Sequence, residues 1–308
     1  MAEYNADLLI MGSGPAGYTA GIYAARAGIN SLVVAGPRKG GQLLLSSEVE
    51  NFPGFIHPLS GFDLMDRMQK QAINQGVNII DDEITEVDFF DHPFVCNSAG
   101  GNCFISKAII IATGASVKWL GLPSEQKYIG HGVSSCATCD GFFYKGKDVA
   151  VIGGGNSALE EALYLTNFVE KVYIVHHRHS FRAEHVLQQR AHDNRKITVI
   201  WNSVVDEVLG TDEPLEMTGI KIRNVKTDKV QFLDVAGMFV AIGHHPNTDM
   251  FRRYLHMDSA GYLITQGDTC ATDIKGIFAA GDVCNPHRQA VIAAGCGAKA
   301  ALEAIKFL

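Results

Sequence analysis

Glycines recur twice in this sequence at the junction between a short apolar run and an alanine-rich run, and that arrangement constrains the chain more than any other feature. The first instance lies in ADLLIMGSGPAGYTAGIYAARAGINSLVVAG. Residues 7–11 are predicted as a buried strand, residues 16–27 as a helix and residues 31–35 as a second strand. Between the first two stands Gly12-Ser13-Gly14-Pro15-Ala16-Gly17. In a strand–turn–helix unit of this kind, the first glycine permits the tight turn and the second admits a pyrophosphate close to the backbone. The third lets helix and sheet pack closely, and the helix start offers unpaired N–H groups to the phosphates. A lone GxGxxG is a weak signal, whereas one in this element order predicts a dinucleotide site.

The second instance is KDVAVIGGGNSALEEALYLTNFVEKVYIVHHRHSFRAEHV. A strand over 148–152, a helix over 157–165 and a strand over 171–175 are expected. Gly153, Gly155 and Ala158 take the three glycine roles, with Asn156 and Ser157 at the helix start. Two dinucleotide sites, or two halves of a repeated fold, are implied. At the end of the second strand of such a unit, an acid suits the ribose hydroxyls of NAD and a base suits a 2'-phosphate. Here His176, His177, Arg178, His179 and Arg182 precede the first acid, Glu184. Arg178 and Arg182 can each grip a phosphate with two N–H groups, which favours NADPH over NADH. The first unit has no acid directly after Val34, so its ribose contact must come from elsewhere.

The repeat extends further. Strands are expected over 77–80, 84–88, 94–97 and 107–112, the last ending at Gly114, and its counterpart over 237–242 ends at Gly243. The late segment GIFAAGDVCNPHRQAVIAAGCGAKAALEAI reads as a strand over 277–280, a turn carrying Asp282, and a helix over 288–305. If that segment completes the first unit, residues 1–116 and 248–308 form one domain and residues 117–247 a second domain inserted into it. The expected fold class is α/β: two Rossmann-like three-layer nucleotide-binding domains, an FAD/NAD(P)-binding fold, the second within the first.

With a formal net charge of -7 the chain lacks the basic field that nucleic acid or an anionic membrane surface attracts. Its N-terminus does not read as a secretory signal, and no apolar run reaches the length of a membrane helix, so a soluble cytoplasmic protein is expected. Of seven cysteines, Cys96, Cys103, Cys270, Cys284 and Cys296 are scattered and read as inert thiols. Cys136 and Cys139 form the close pair, in Ser134-Ser135-Cys136-Ala137-Thr138-Cys139-Asp140. Lacking a second CxxC or a histidine at zinc spacing, the pair is not expected to hold metal. Redox chemistry is the better reading, since nucleotide, flavin and dithiol make a complete path for two electrons. Asp140 is a candidate acid for a departing thiolate, its alternative being a turn or cap contact.

Taken together, GSGPAG at 12–17, GGQL at 40–43, ENFPG at 50–54, ATG at 112–114, CATCDG at 136–141, GGGNSALEE at 153–161, HHRHSFRA at 176–183, AIGHHPN at 241–247 and FAAGD with RQA at 278–290 resemble the bacterial-type low-molecular-weight thioredoxin reductases over essentially the whole chain. The resemblance implies a homodimeric FAD enzyme that spends NADPH to reduce thioredoxin, with no metal. Cys139 would face the flavin, Cys136 would attack thioredoxin's disulfide, and Asp140 would be the acid. Beside Gly12, Ser13, Gly14, Pro15, Ala16 and Gly17, the flavin site would draw on Gly41, Gln42, Leu43, Asn51, Gly114, Asp282, Arg288, Gln289 and Ala290. The NADPH site would comprise Gly153, Gly155, Asn156, Ser157, Ala158, His177, Arg178 and Arg182. The resemblance further implies a rotation of the inserted domain about segments 118–121 and 243–247. One departure stands out: many members carry arginine where this chain has His177, and a neutral imidazole holds phosphate less firmly. NADPH preference with weaker discrimination is the expectation. Two other readings fit the same motifs: a reductase of this architecture serving another dithiol protein, and a nucleotide-sensing flavoprotein without turnover.

Overall fold

The computed structural model describes residues 2–46 and 48–308. The chain forms two compact units, Met1–Ser116 with His245–Leu308, and Val117–His244.

In the first unit the strand Glu3–Met11 lies between Ser31–Val34 and Cys103–Ile111, all parallel, with Asn78–Ile80 outside Ser31–Val34. The long strand Cys103–Ile111 serves two partners on its other edge. Ile109, Ile110 and Ile111 pair in parallel with Ile277–Ala279, whereas Phe104, Ile105 and Ser106 pair antiparallel with Phe94–Ser98, which in turn pairs with Ile84–Asp88. The late segment thereby enters the first sheet. Both faces of the central strand are covered, as near-continuous apolar runs require. Leu8 and Ile10 join Ala16, Tyr18 and Ala20 of the helix Pro15–Arg26 in one core, while Leu9 and Met11 join Phe89, Phe94 and Phe251 in the other. Each such leucine, fully withdrawn from water, contributes roughly 2 kcal/mol.

The final helix runs Ala290–Phe307 rather than over 288–305. Arg288 adopts a left-handed φ of 50°, which no helix start accommodates, so the helix begins two residues later than its alanine pattern suggests. It packs tightly on the first helix: a Cβ on Gly297 would lie 2.1 Å from the Ala16 carbonyl oxygen.

The second unit repeats the plan. Its five-stranded parallel sheet runs in the order Ile197–Ile200, Lys171–Val175, Asp148–Ile152, Gly237–Val240, Val133–Ser134. An antiparallel sheet of Ser203–Asp212, Leu215–Asn224 and Val230–Asp234 accompanies it. The helix Asn156–Leu165 buries Ala158, Leu159, Ala162 and Leu165, a spacing that puts all four on one face against Val149, Val151 and Phe239. Gly237–Val240 pairs with Asp148–Ile152 as Cys103–Ile111 does with Glu3–Met11, so the repeat seen in the sequence is a repeat of pairing. Each unit is thus a three-layer nucleotide-binding α/β fold. Among the described residues no helix is long and apolar enough to cross a membrane.

The chain passes between units after Ser116 and after His244. Residues 245–247, placed with the inserted segment on sequence grounds, fall in the first unit. Asn247 explains why: its side chain donates to the Thr113 carbonyl (2.8 Å) and accepts from the Ser116 hydroxyl (2.8 Å), and its N–H donates to the Gly114 carbonyl (2.9 Å). Beyond the first crossing, the fully buried Glu125 accepts from the N–H groups of Leu120 (2.9 Å) and Gly121 (2.8 Å), which fixes half of segment 118–121.

Candidate active site

The Gly12–Gly17 turn is held from below by Ser13. Its buried hydroxyl donates to the Ala35 carbonyl (2.8 Å) and accepts from the Gly40 N–H (2.9 Å), tying the turn to the following strand and to the segment GGQL. Gly41, which opens the short helix Gly41–Leu45 containing Gln42 and Leu43, consequently stands so near Gly14 that a Cβ on it would lie 3.4 Å from the Gly14 Cα. Gly12 takes a φ of 112° with the Ala112 carbonyl against it, and a Cβ on Gly17 would fall 1.9 Å from the Gly12 carbonyl oxygen. Around Gly14, by contrast, a Cβ would meet nothing within 4 Å, and the helix that begins at Pro15 has no side-chain cap. Free N–H groups thus face open space above a turn that admits no bulk below it, the cradle a pyrophosphate requires.

Asp282 reaches the same end of the sheet, because Gly281 packs on Ala16 with a Cβ position 3.0 Å from that alanine's methyl. Burial pushes the Asp282 carboxyl up to about 6, against the opposing pull of Arg288, and it makes no hydrogen bond to another described residue. A partly buried carboxylate with unused acceptors fits a ligand hydroxyl. Asn51 and Gln289 meet through a 3.4 Å hydrogen bond between their side chains, next to Arg288 and to Ala290 at the start of the last helix. Gly114 has a φ of 71° and open space at its Cβ position.

The second glycine turn has the same construction, with Gly155 open and Gly153 pressed against the Ala241 carbonyl and the Ala158 methyl. The helix Asn156–Leu165 starts without a side-chain cap because its N-cap residue is Gly155, and the side chain of Asn156 is turned to Glu184: it accepts from the Glu184 N–H (2.8 Å) and donates to the Glu184 carboxylate (3.1 Å). Ser157 and Ala158 follow in the first turn. The Arg182 N–H donates to the Gly154 carbonyl (2.8 Å), which draws the basic loop to the turn. His177, Arg178 and Arg182 are exposed there, with no carboxylate bound to them among the described residues.

His176 belongs to the same run but has another task. It is buried, donates through Nε2 to the Ser180 carbonyl (3.1 Å), and lies so close beneath Gly154 that a Cβ there would sit 2.4 Å from its ring. Burial, reinforced by His177, Arg182 and Arg178, lowers its basicity. It supports the glycine turn from inside, a role the run of basic letters conceals.

Cys136 and Cys139 are joined in a disulfide with their Cα atoms 5.3 Å apart, Cys136 capping the one-turn helix Ala137–Asp140. Ser134 was not singled out from the sequence, yet it organises this turn. Its buried hydroxyl accepts from the Cys136 N–H (3.0 Å) and hydrogen-bonds Asp140. Burial raises the Asp140 carboxyl and the Ser134 bond offsets part of that rise; the second carboxylate oxygen, Oδ1, is buried with no partner. The side chain can therefore carry a proton next to the disulfide at a higher pH than an ordinary carboxyl. Three of the other thiols offer little reactivity: burial pushes Cys96, Cys270 and Cys284 each to about 12. Among the described residues no group of three His, Cys, Asp or Glu side chains could hold a metal ion.

Fold and site define a two-unit nucleotide-binding α/β protein with a redox-active disulfide. Residues 6–297 match the family model described as pyridine nucleotide-disulphide oxidoreductase. The chain is 52% identical over 302 residues to a thioredoxin reductase of Rickettsia conorii, covering 98% of this chain and 97% of that one. It is 48% identical over 313 residues to a thioredoxin reductase of Escherichia coli O157:H7, covering 99% and 96%. A solved thioredoxin reductase from Giardia duodenalis superposes with a TM-score of 0.93 at 38% identity, covering 99% of both chains. The chain belongs to the pyridine nucleotide-disulphide oxidoreductases and, among them, to the bacterial-type low-molecular-weight thioredoxin reductases.

Proposed function

We propose that this chain reduces oxidised thioredoxin with electrons from NADPH, passed through FAD to the Cys136–Cys139 disulfide. The observation that carries the reading is the disulfide seated beside a half-buried Asp140 whose Oδ1 is withdrawn from water and whose carboxyl is held above the usual carboxylate range by burial, in a chain with two open glycine turns. We assign the first turn with Gly41, Gln42, Leu43, Asn51, Gly114, Asp282, Arg288, Gln289 and Ala290 to FAD. We assign the second turn with Asn156, Ser157, His177, Arg178 and Arg182 to NADPH. The unit Met1–Ser116 with His245–Leu308 is then the flavin-binding domain and Val117–His244 the NADPH-binding domain. Active as a homodimer in the cytoplasm, the protein needs no metal in this scheme.

Bound FAD supplies a carrier able to take a hydride and return two electrons to a disulfide. The chain's own residues do the rest. Two electrons delivered at Cys139 break the sulfur–sulfur bond and leave two thiolates, one of which takes a proton. Asp140 holds that proton, its unbonded oxygen buried in the same turn. Cys136, at the open end of the helix, then attacks the partner's disulfide, forms a mixed disulfide and is released when Cys139 attacks in turn. The dithiol partner leaves reduced and the Cys136–Cys139 bond is restored.

Replacing Asp140 by Asn keeps the shape and removes the proton. Dithiol formation is expected to slow about 100-fold, and the decline of wild-type activity as pH rises through the raised Asp140 pKa should vanish. Rapid-mixing kinetics across pH checks both; an unchanged profile would remove Asp140 from the acid role. For the nucleotide assignment, Arg178→Ala with Arg182→Ala should raise KM for NADPH by roughly 10- to 100-fold while leaving KM for NADH and kcat nearly unchanged. Equal losses with both nucleotides would place the phosphate contact elsewhere.

A further inference from the structure

The two cysteines of the disulfide share one turn, but their sulfurs have different neighbours. The Cys136 Sγ lies 3.4 Å from the Thr138 hydroxyl oxygen. A disulfide sulfur carries no hydrogen, so the hydroxyl is the donor. Cys139 is bonded through its backbone, its N–H to the Cys136 carbonyl (3.2 Å), and no hydrogen bond reaches its sulfur among the described residues. The turn does not depend on the sulfur–sulfur bond: the Ser134 hydroxyl accepts from the Cys136 N–H (3.0 Å), and the Cys136 carbonyl accepts from Cys139 and from the Asp140 N–H (3.1 Å). Cys136 and Thr138 therefore stay within reach of each other once the disulfide opens. Of the elements packed against the turn, the short helix Gly141–Tyr144 brings Tyr144, and the helix Asn156–Leu165 brings Glu160, Glu161 and Tyr164; Cys139 and Asp140 lie in the turn itself. None of these side chains can carry a positive charge. Lys145, the next residue along, lies over the Phe142 ring (5.8 Å). The carboxylates disfavour an anion on sulfur, whereas the Thr138 hydroxyl favours one.

We infer that Thr138 is a further catalytic residue: its hydroxyl holds the Cys136 sulfur as a thiolate when the disulfide opens, so that Cys136 departs as the anion and returns as the nucleophile while the proton goes to Cys139. This rests on the assignment of the pair to thioredoxin reduction. Two electrons arriving at Cys139 become a lone pair on its sulfur, and the former bonding pair departs on the Cys136 sulfur. Asp140 passes its proton to Cys139. A thiolate departs faster the better its charge is held, and a hydroxyl already aimed at the sulfur needs no rearrangement to hold it. The Cys136 anion then bonds to one sulfur of the partner's disulfide, and the other partner sulfur leaves with its bonding pair. Cys139 returns its proton to Asp140 and displaces the remaining partner sulfur from Cys136. The partner's two thiolates take protons from water. Thr138 is exposed and Cys136 half-buried, so a disulfide brought to this turn by a partner meets both.

The test reads the ionisation of Cys136 through its attack on a small disulfide. Full-length, FAD-loaded Cys139→Ser protein, in which Cys136 is the single thiol of the pair, is mixed rapidly with 4,4'-dithiodipyridine from about pH 6 to about pH 10, and the modified peptide is identified by mass. Thr138→Val removes the hydroxyl at nearly constant volume. Without that hydrogen bond the thiolate should be about tenfold scarcer at low pH, yet intrinsically about threefold more nucleophilic, because nucleophilicity rises with basicity. Thr138→Val is therefore expected to react about threefold slower at the acid end and about threefold faster once the thiol is fully ionised, so that the two profiles cross. Thr138→Ser should follow the protein with Thr138. Coincident profiles for Thr138 and Thr138→Val, or a loss by the same factor at every pH, would overturn the inference. Turnover of the protein with both cysteines checks the assignment separately. Thioredoxin reduction alongside coincident profiles removes Thr138 alone, whereas failure to reduce thioredoxin removes the assignment and the inference with it.

Discussion

Cys139→Ser is expected to lower thioredoxin-linked NADPH oxidation by at least about 1000-fold, because the route from nucleotide to partner loses its only way into the dithiol. The fold should be untouched. Cys139 is partly exposed on a one-turn helix, and its N–H bond to the Cys136 carbonyl (3.2 Å) does not involve the sulfur. The variant should therefore stay yellow, melt within a few degrees of wild type, and still be bleached by NADPH. Steady-state assay with reduced and oxidised thioredoxin as product and substrate, combined with anaerobic spectra, reads these effects separately. Residual turnover within about tenfold of wild type would mean that electrons reach the partner by a path that bypasses this pair. The five remaining thiols are poor candidates for such a path, three of them being pushed to about 12 by burial.

Gly17→Ala should be the most damaging single methyl in the first unit. The added Cβ would fall 1.9 Å from the Gly12 carbonyl oxygen and 2.8 Å from its carbon, both backbone atoms fixed by the sheet, so the helix must move away from the turn. A loss of about 4 kcal/mol or more is expected, in the range of severe overpacking. Gly14→Ala supplies the comparison. That position has a φ of -71°, which alanine adopts freely, and no atom within 4 Å of the new methyl. The folded protein should survive there, but without flavin, since the methyl fills the space a pyrophosphate needs. Thermal melting alongside the flavin absorbance distinguishes the two. If Gly14→Ala retains full flavin, the open face of this turn is not the pyrophosphate site.

What the sequence reveals in advance is whatever is encoded over a few neighbouring residues. Both glycine turns are of this kind, as are the strand–helix alternation and the Cys136–Cys139 spacing, since tight turns and close approaches restrict the residue types allowed at each place. Bonds between distant segments leave no such local trace. Ser134 reads as one more serine before the cysteines until its hydroxyl is seen bridging Cys136 and Asp140. Asn247 reads as part of a turn, though it is the post to which Thr113, Gly114 and Ser116 are tied. Asn156 stands where a phosphate contact is expected, and its side chain is instead bonded to Glu184. His176 and His177 are adjacent letters of the same type. Both lie just past the strand Lys171–Val175, where Ile174, Val175 and His176 are buried in succession and His177 is exposed, so no alternation separates them; one lies under Gly154 and the other in solvent.

The electron path itself is tested most directly by counting. Anaerobic titration of the FAD-loaded protein with NADPH, followed by quenching and thiol labelling, should show two hydride equivalents taken up per chain at completion, one held by flavin and one by Cys136 and Cys139, with both cysteines labelled. Cys139→Ser should stop at one. Uptake of a single equivalent by the wild-type protein, with the Cys136–Cys139 bond intact and unlabelled, would contradict the account.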